Sequence, residues 1–248
     1  MKASGLLAVA LATGRDYLSV SLGSWRRRHR PTQRIAHQDR IMRRWGASLC
    51  RAFGLELTVQ GNLPEPPFFL VTNHLSYVDI PLLGSLVGGT FVAKADLGAW
   101  PVVGSICRAS DTLLIDRGTK RDLLRIGALA EERLNHGGGI ILFGEGTTGD
   151  GSELLPFKAS LLEVAVRAGY PVHYATLAYR TPPGAQRARD AICWYGDEEL
   201  APHFKRFQRL RGFEATVTFG DQPLVGEDRK QLAAALRQAM ARQFVVTD

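Results

Sequence analysis

Cysteine is scarce in this chain: Cys50, Cys107 and Cys193 are the 3 present, an odd number with no Cys-x-x-Cys spacing. Such a set cannot pair completely, which excludes a disulfide-stapled scaffold and points to buried thiols in a reducing compartment. The 6 histidines never approach these cysteines at ligand spacing, so no metal site is expected. A long hydrophobic run is also lacking. The apolar stretch 5–12 is followed at once by Arg15 and Asp16, whereas a spanning helix needs about 20 apolar residues. With only Lys2 ahead of it and no clear cleavage site, the stretch does not read as a signal peptide either. Partial insertion into a membrane, or lying along its surface, is the expectation that remains. Internal repeats and low-complexity linkers are missing as well.

What is present is ordinary globular material, 45% apolar and 22% charged, and 248 residues suffice for one large α/β domain with a proper core. The net charge of +7 is not spread evenly. Residues 1–60 hold eleven Lys or Arg against Asp16, Asp39 and Glu56, which accounts for the whole excess. A localised basic segment is an electrostatic footprint for an anionic surface, phospholipid or nucleic acid. Tyr17, Trp25 and Trp45 within it tilt the choice toward lipid, with a plain solvated helix as the alternative.

Residues 34–53 place Ile35, Ile41, Met42, Trp45, Leu49 and Phe53 on one helical face and arginines elsewhere around it. This basic amphipathic helix either lies on anionic membrane or packs on the domain. Strands are expected at 55–60, 68–72, 90–94, 112–116, 139–143, 172–179 and 214–219. Helices are expected at 80–86, 121–135, 157–168 and 228–242. Strands alternating with helices argue for an α/β fold, a layered mixed sheet flanked by helices, with its site in loops beyond strand ends.

Two polar loops fall at such places. The stretch "VTNHLSYVDIP", 71–81, sets His74 and Asp79 five positions apart after an apolar strand. They are a base with its orienting carboxylate or mere punctuation before a helix, and the spacing alone does not decide. The stretch "FGEGTTGDGSELLPFK", 143–158, holds Glu145 in a loop whose Gly144, Gly146, Gly149 and Gly151 let backbone amides approach a ligand. By itself this is also a flexible turn with a surface glutamate.

Together these blocks resemble the lysophospholipid acyltransferase family, that of the 1-acyl-glycerol-3-phosphate acyltransferases. Asn73, His74 and Asp79 match its Asn-His-x4-Asp block. "DTLLIDR", 111–117, matches a Gly-x-Leu-Leu-Ile-Asp-Arg strand, with Asp111 where glycine is usual. "FGEGTT" matches Phe-Pro-Glu-Gly-Thr-Arg, and "YPVHYA" an apolar segment around Pro171. The order of the blocks agrees over about residues 55–180.

The resemblance implies acyl transfer from an acyl-CoA or acyl carrier protein thioester, the donor being a substrate and no cofactor being needed, to a hydroxyl of a lysolipid. His74 would take the proton of the attacking hydroxyl and Asp79 would hold the other imidazole nitrogen, a triad whose serine is replaced by the substrate. Ser76 beside the base is an alternative nucleophile. Backbone amides of 144–147, Gly144 included, are candidate oxyanion donors. Arg117, Glu145, Gly146, Thr147, Thr148 and Lys94 form the implied acceptor site. Arg117 is otherwise a structural ion pair, and Lys94 otherwise a solvated strand end.

The charge and amphipathic pattern make residues 1–54 a basic membrane-associating helical segment by expectation, and the resemblance makes 55–248 the acyltransferase domain. The implied partners are anionic membrane lipids and the thioester donor, not nucleic acid, at the cytoplasmic face of the inner membrane. Two departures bear on this. Gly144 replaces proline, which should loosen the loop. Thr148 replaces an arginine associated with the acceptor's phosphate, and "EGTTGDG" looks like the branch that acylates lyso-ornithine lipid. Lysophosphatidic acid and lyso-ornithine lipid stay open as acceptors, as does a hydrolase that uses water instead.

Overall fold

The computed structural model describes residues 3–116, 119–167 and 169–248. In chain order the elements are α1 (Ala3–Arg26), α2 (Pro31–Phe53), β1 (Leu55–Gln60), β2 (Phe68–Thr72), α3 (Asp79–Val87) and β3 (Thr90–Lys94). Next come a 3-10 turn (Ala95–Ala99), α4 (Pro101–Ala109), β4 (Leu113–Ile115), α5 (Lys120–Asn135) and β5 (Gly139–Phe143). A second 3-10 turn (Ala159–Leu162), α6 (Glu163–Arg167), β6 (Val172–Arg180), α7 (Ala188–Ala191), α8 (Leu200–Phe207), β7 (Phe213–Phe219) and α9 (Arg229–Gln243) complete the described chain.

The strands form one sheet in the order β1-β7-β6-β2-β5-β3-β4. β4, β3, β5, β2 and β6 run parallel, while β7 turns back against β6 and carries β1 parallel to itself. The sheet is therefore mixed. β2 and β5 are buried along their whole length, as apolar runs covered on both faces should be. Successive side chains alternate between two cores. Phe68 and Leu70 pack with α2 and α3, and Phe69 and Val71 pack with α5, the 159–167 segment and α9.

Pro31 opens α2 and Gly54, with φ 70°, closes it by returning its N–H to Cys50 and Arg51 carbonyls. The buried face of α2 includes Ile35, Ile41, Met42, Leu49 and Phe53. It crosses α3 at Gly46, where a Cβ would stand 2.3 Å from the Pro81 carbonyl oxygen. The apolar face of α2 is thus consumed by the protein and is not a membrane face. Residues 31–53 thus share a core with the chain beyond residue 54. α1, packed on α2, instead leaves Leu7, Leu11, Leu18, Leu22 and Trp25 more than half exposed.

Three further expectations are corrected. The helix expected at 157–168 is a 3-10 turn followed by α6, with Ala168 outside the described residues. "LGAWPVVGSICRAS", read only as a connection, contains α4, opened by Pro101 at its first position. Residues 181–212, where none of the expected strands or helices falls, hold α7 and α8.

A buried ion pair fastens α2 to the sheet. Arg133 on α5 pairs with Asp39 on α2, both nearly sealed from solvent, and the same guanidinium donates from Nε to the Gly139 carbonyl at 3.0 Å. Burial pushes the Asp39 carboxyl up and the Arg133 guanidinium down, against their mutual attraction. Arg133→Met should cost about 3–5 kcal/mol in urea unfolding because Asp39 is left charged and buried. Asp39→Leu added to it should recover most of that loss, and a single variant as stable as wild type would contradict this account.

Candidate active site

β2 and β5 are neighbours and parallel, with Thr72 opposite Phe143. Their outgoing chains leave the sheet together, the place where open α/β sheets hold ligands. The β2–β6 pairing ends at Thr72 and Ala175. One residue on, the Asn73 side chain takes over, donating from Nδ2 to the Leu177 carbonyl at 3.1 Å and accepting from the Leu177 N–H at 2.8 Å. A side-chain amide that mimics a strand neighbour frees the main chain to turn away, which delivers His74 to the sheet edge.

His74 Nδ1 lies 2.7 Å from Asp79 Oδ2. Asp79 opens α3 and is fully buried. Its Oδ2 also accepts the N–H groups of Leu75 at 2.7 Å and Ser76 at 3.0 Å, while Oδ1 accepts the Tyr179 hydroxyl at 2.6 Å. Three donors besides the ring thus converge on Asp79 at the start of α3. A carboxylate there only accepts, so Nδ1 carries the ring proton and Nε2 is left with its lone pair. The imidazole stacks on Phe143 with centroids 3.6 Å apart and planes 9° from parallel, and is 18% exposed. Ser76 Oγ, by contrast, is buried and has no hydrogen-bond partner among the described residues. Sealed from solvent, it has no path to a thioester.

The glycine-rich loop braces this base from beneath. Glu145 is buried, with Oε2 accepting the His74 N–H at 2.8 Å and Oε1 the Leu155 N–H at 2.9 Å. Burial raises its pKa to about 7, against those two amide bonds, and the charge of Asp79 adds to the rise. Its carboxylate therefore points into the protein, although the resemblance implies an acceptor contact. Gly149 donates to the His74 carbonyl at 2.8 Å. Both main-chain groups of the base are thus held by the loop that follows β5.

Gly144 corrects two expectations. Its N–H donates to the Thr72 carbonyl at 2.9 Å and its own carbonyl accepts from Lys158 at 2.8 Å. The loop is tied here rather than loosened. A Cβ would stand 2.9 Å from the Phe157 ring, and proline has no N–H to give Thr72. Because that N–H is used, Gly144 is not an oxyanion donor, and Gly146, with φ 70°, likewise spends its N–H on the Phe143 carbonyl at 3.1 Å.

Thr147 is exposed and Thr148 half-buried in the same loop. Lys94 ends β3 at the same sheet edge, exposed and ion-paired with Asp96. Arg117 lies outside the described residues.

Sequence reasoning gave Asn73 no role beyond its motif and missed the segment after β6. Trp194 donates its N–H to the Leu75 carbonyl at 2.8 Å, and Tyr77 meets His203 Nδ1 at 3.1 Å. His203 Nε2 lies 2.9 Å from the Cys193 carbonyl, so it carries the proton and Nδ1 accepts from Tyr77. Burial lowers the pKa of this imidazole and keeps it neutral. No period or turn signal marks the contacts of Trp194 with Leu75 and of His203 with Tyr77, because they join residues more than a hundred positions apart.

The family model described as Acyltransferase matches residues 55–177. Lyso-ornithine lipid O-acyltransferase of Pseudomonas aeruginosa is 35% identical over 95% of this chain and 91% of its own length. The same-named protein of Brucella abortus is 33% identical over 76% and 75%. A 1-acyl-sn-glycerol-3-phosphate acyltransferase of Neisseria meningitidis is 30% identical over 73% and 71%. In fold, the chain superposes on the crystal structure of the 1-acyl-sn-glycerophosphate acyltransferase of Thermotoga maritima with a TM-score of 0.67, 21% identity, and coverage of 97% and 95%.

The raised Glu145 pKa has a sign that can be measured. A carboxyl whose folded pKa, about 7, exceeds its unfolded value near 4.5 favours the fold when protonated, and that contribution is lost as pH rises between the two. Glu145→Gln should remove a pH-dependent loss on the order of 2–3 kcal/mol from the unfolding profile between about pH 4.5 and 7. Parallel profiles for the two proteins would show that this carboxyl is not perturbed.

Proposed function

The chain belongs to the acyltransferase family, and from that premise we propose that it transfers an acyl group from an acyl-CoA or acyl carrier protein thioester to the free hydroxyl of a lysolipid. The observation that carries this reading is the 2.7 Å bond from His74 Nδ1 to the buried Asp79, which leaves Nε2 as a base at the sheet edge. Nε2 takes the acceptor's hydroxyl proton as its oxygen attacks the thioester carbonyl. Asp79 stabilises the imidazolium so formed, and collapse of the tetrahedral adduct expels the thiolate, which takes the proton back. Such a base is worth typically about 10²- to 10⁴-fold in rate. No protein nucleophile takes part, in keeping with the burial of Ser76 Oγ. With the Gly144 and Gly146 amides spent, the amides of Glu145 and Thr147 are the loop's candidates for the oxyanion.

Lyso-ornithine lipid is the acceptor we favour. The relative of that name matches 95% of this chain, and Thr148 supplies no positive charge for a phosphomonoester. Arg117, Thr147, Thr148 and Lys94, with the turn at Gly146, are the proposed acceptor contacts. The test is transfer of a radiolabelled acyl group from each thioester to lyso-ornithine lipid and to lysophosphatidic acid. A diacyl product on the ornithine lipid that drops at least about 100-fold in His74→Ala is expected, and Thr148→Arg should move preference toward the phosphate lipid. Free fatty acid in place of diacyl lipid would mean a hydrolase.

The enzyme meets its lipid through α1 rather than α2. Leu7, Leu11, Leu18, Leu22 and Trp25 are exposed at positions that share one face of the helix, beside Arg26, Arg27, Arg28 and Arg30 at its end. Among the described residues no helix is long and apolar enough to cross a membrane, so the proposed mode is surface lying on an anionic leaflet. Leu11→Asp with Leu18→Asp should release the protein from anionic vesicles in a flotation assay without changing its unfolding midpoint. Undiminished flotation would remove α1 from this role.

A further inference from the structure

Tyr179 lies on β6, two residues past the end of the matched family region. The two oxygens of Asp79 are unequally loaded. Oδ2 takes His74, Leu75 and Ser76, and Oδ1 takes the Tyr179 hydroxyl at 2.6 Å. We propose that Tyr179 is a positioning residue for acyl transfer, its hydroxyl pinning Asp79 Oδ1 so that the carboxylate keeps the plane in which Oδ2 faces the His74 ring. This rests on the reading of His74 as the base.

The tyrosine is held well enough to do this. Its backbone pairs with β7 opposite Ala215, its N–H donates to Thr247 Oγ1 at 3.2 Å, and its ring packs edge-on to Phe213 at 5.8 Å. The side chain is buried, so the phenol has no solvent to turn to. A carboxylate torsion is broad and twofold, and two backbone amides on one oxygen fix where that oxygen sits but leave the other free to swing out of plane. A donor on Oδ1 removes that freedom. It also draws charge from the carboxylate, so that the imidazolium is held less tightly and His74 gives its proton up more readily.

Among the titratable groups that face the His74–Asp79 pair, Glu145 alone changes its charge near neutral pH. Asp79 is faced by His74 in its own loop, Glu145 beyond β5, Tyr179 on β6 and Cys193 beyond α7, and Tyr179 is also faced by Cys50 on α2. Burial keeps the Tyr179 phenol protonated, with the Asp79 charge adding to it, and likewise pushes the Cys50 thiol up to about 11 and Cys193 higher still. Glu145, raised to about 7, is the neighbour that titrates near neutrality.

The experiment compares wild type, His74→Ala and Tyr179→Phe in the transfer assay over a range of pH, with unfolding midpoints and the 15N NMR titration of His74. In Tyr179→Phe, kcat is expected to fall about tenfold or more with KM for both substrates unchanged. The ascending limb of kcat/KM and the His74 titration should both move to higher pH. A folded variant with unchanged kcat and an unchanged His74 titration overturns the proposal, as does a loss in kcat and KM together that tracks a lowered midpoint. Where phenylalanine prevents folding, 3-fluorotyrosine at 179 keeps the volume and strengthens the donor, and the His74 titration should then move to lower pH. An unmoved titration there counts against the proposal equally. If His74→Ala retains full transfer, the base reading itself fails, and the NMR titration still decides whether Tyr179 acts on the His74–Asp79 pair.

Discussion

Everything around the catalytic loop answers to one requirement: a charged carboxylate, Asp79, is buried completely and must be surrounded by donors. Removing a carboxylate from water without compensation costs far more than a fold can spare. The loop 74–79 therefore curls so that two of its own amides, the imidazole and a phenol from β6 all converge on one group. That curl in turn needs a fixed start, which Asn73 supplies by standing in for a strand, and a fixed underside, which Glu145 and Gly149 supply. The base is the visible end of a network made mostly of main-chain bonds.

Much of this was legible in the sequence, and the boundary of legibility has a physical cause. The strands 68–72 and 139–143 fall where the apolar runs place them, because a strand covered on both faces has little choice of composition. Amphipathic helices were harder to read. The same period describes a helix lying on a bilayer and one lying on a sheet, so α2 kept both readings until its face was found filled by α3 and β-strand residues. Glu145 was legible as a special residue, but not the direction of its side chain. Its inward turn depends on amides at 74 and 155 that only the folded chain brings together. The stretch 181–212 gave no signal because its helices are short and its anchors, Trp194 and His203, bind partners remote in sequence.

Asp111 illustrates how one departure from a pattern is absorbed. It occupies a position where glycine is usual in the resembling strand, and its φ of 52° is left-handed, a region aspartate tolerates better than most residues. The side chain is then put to use, pairing with Arg34 and accepting from Gln38 Nε2 at 2.8 Å, both on α2. The backbone cost at one loop is thereby offset by a tie to the helix that Arg133 also grips.

The reach of these ties has a bearing on synthesis at the ribosome. β1 pairs with β7, and the loop containing the base is tied to Leu177, Tyr179, Trp194 and His203. Loop-closure entropy of that span must be spent before any of these contacts rewards it. A nascent chain that has emerged only through β5 has its Asp79 carboxylate short of its phenol and lacks β6 and β7 from the sheet. Activity is then a late acquisition of the growing polypeptide, and the unfinished edge of β2 is the surface a chaperone has reason to shield in the interval.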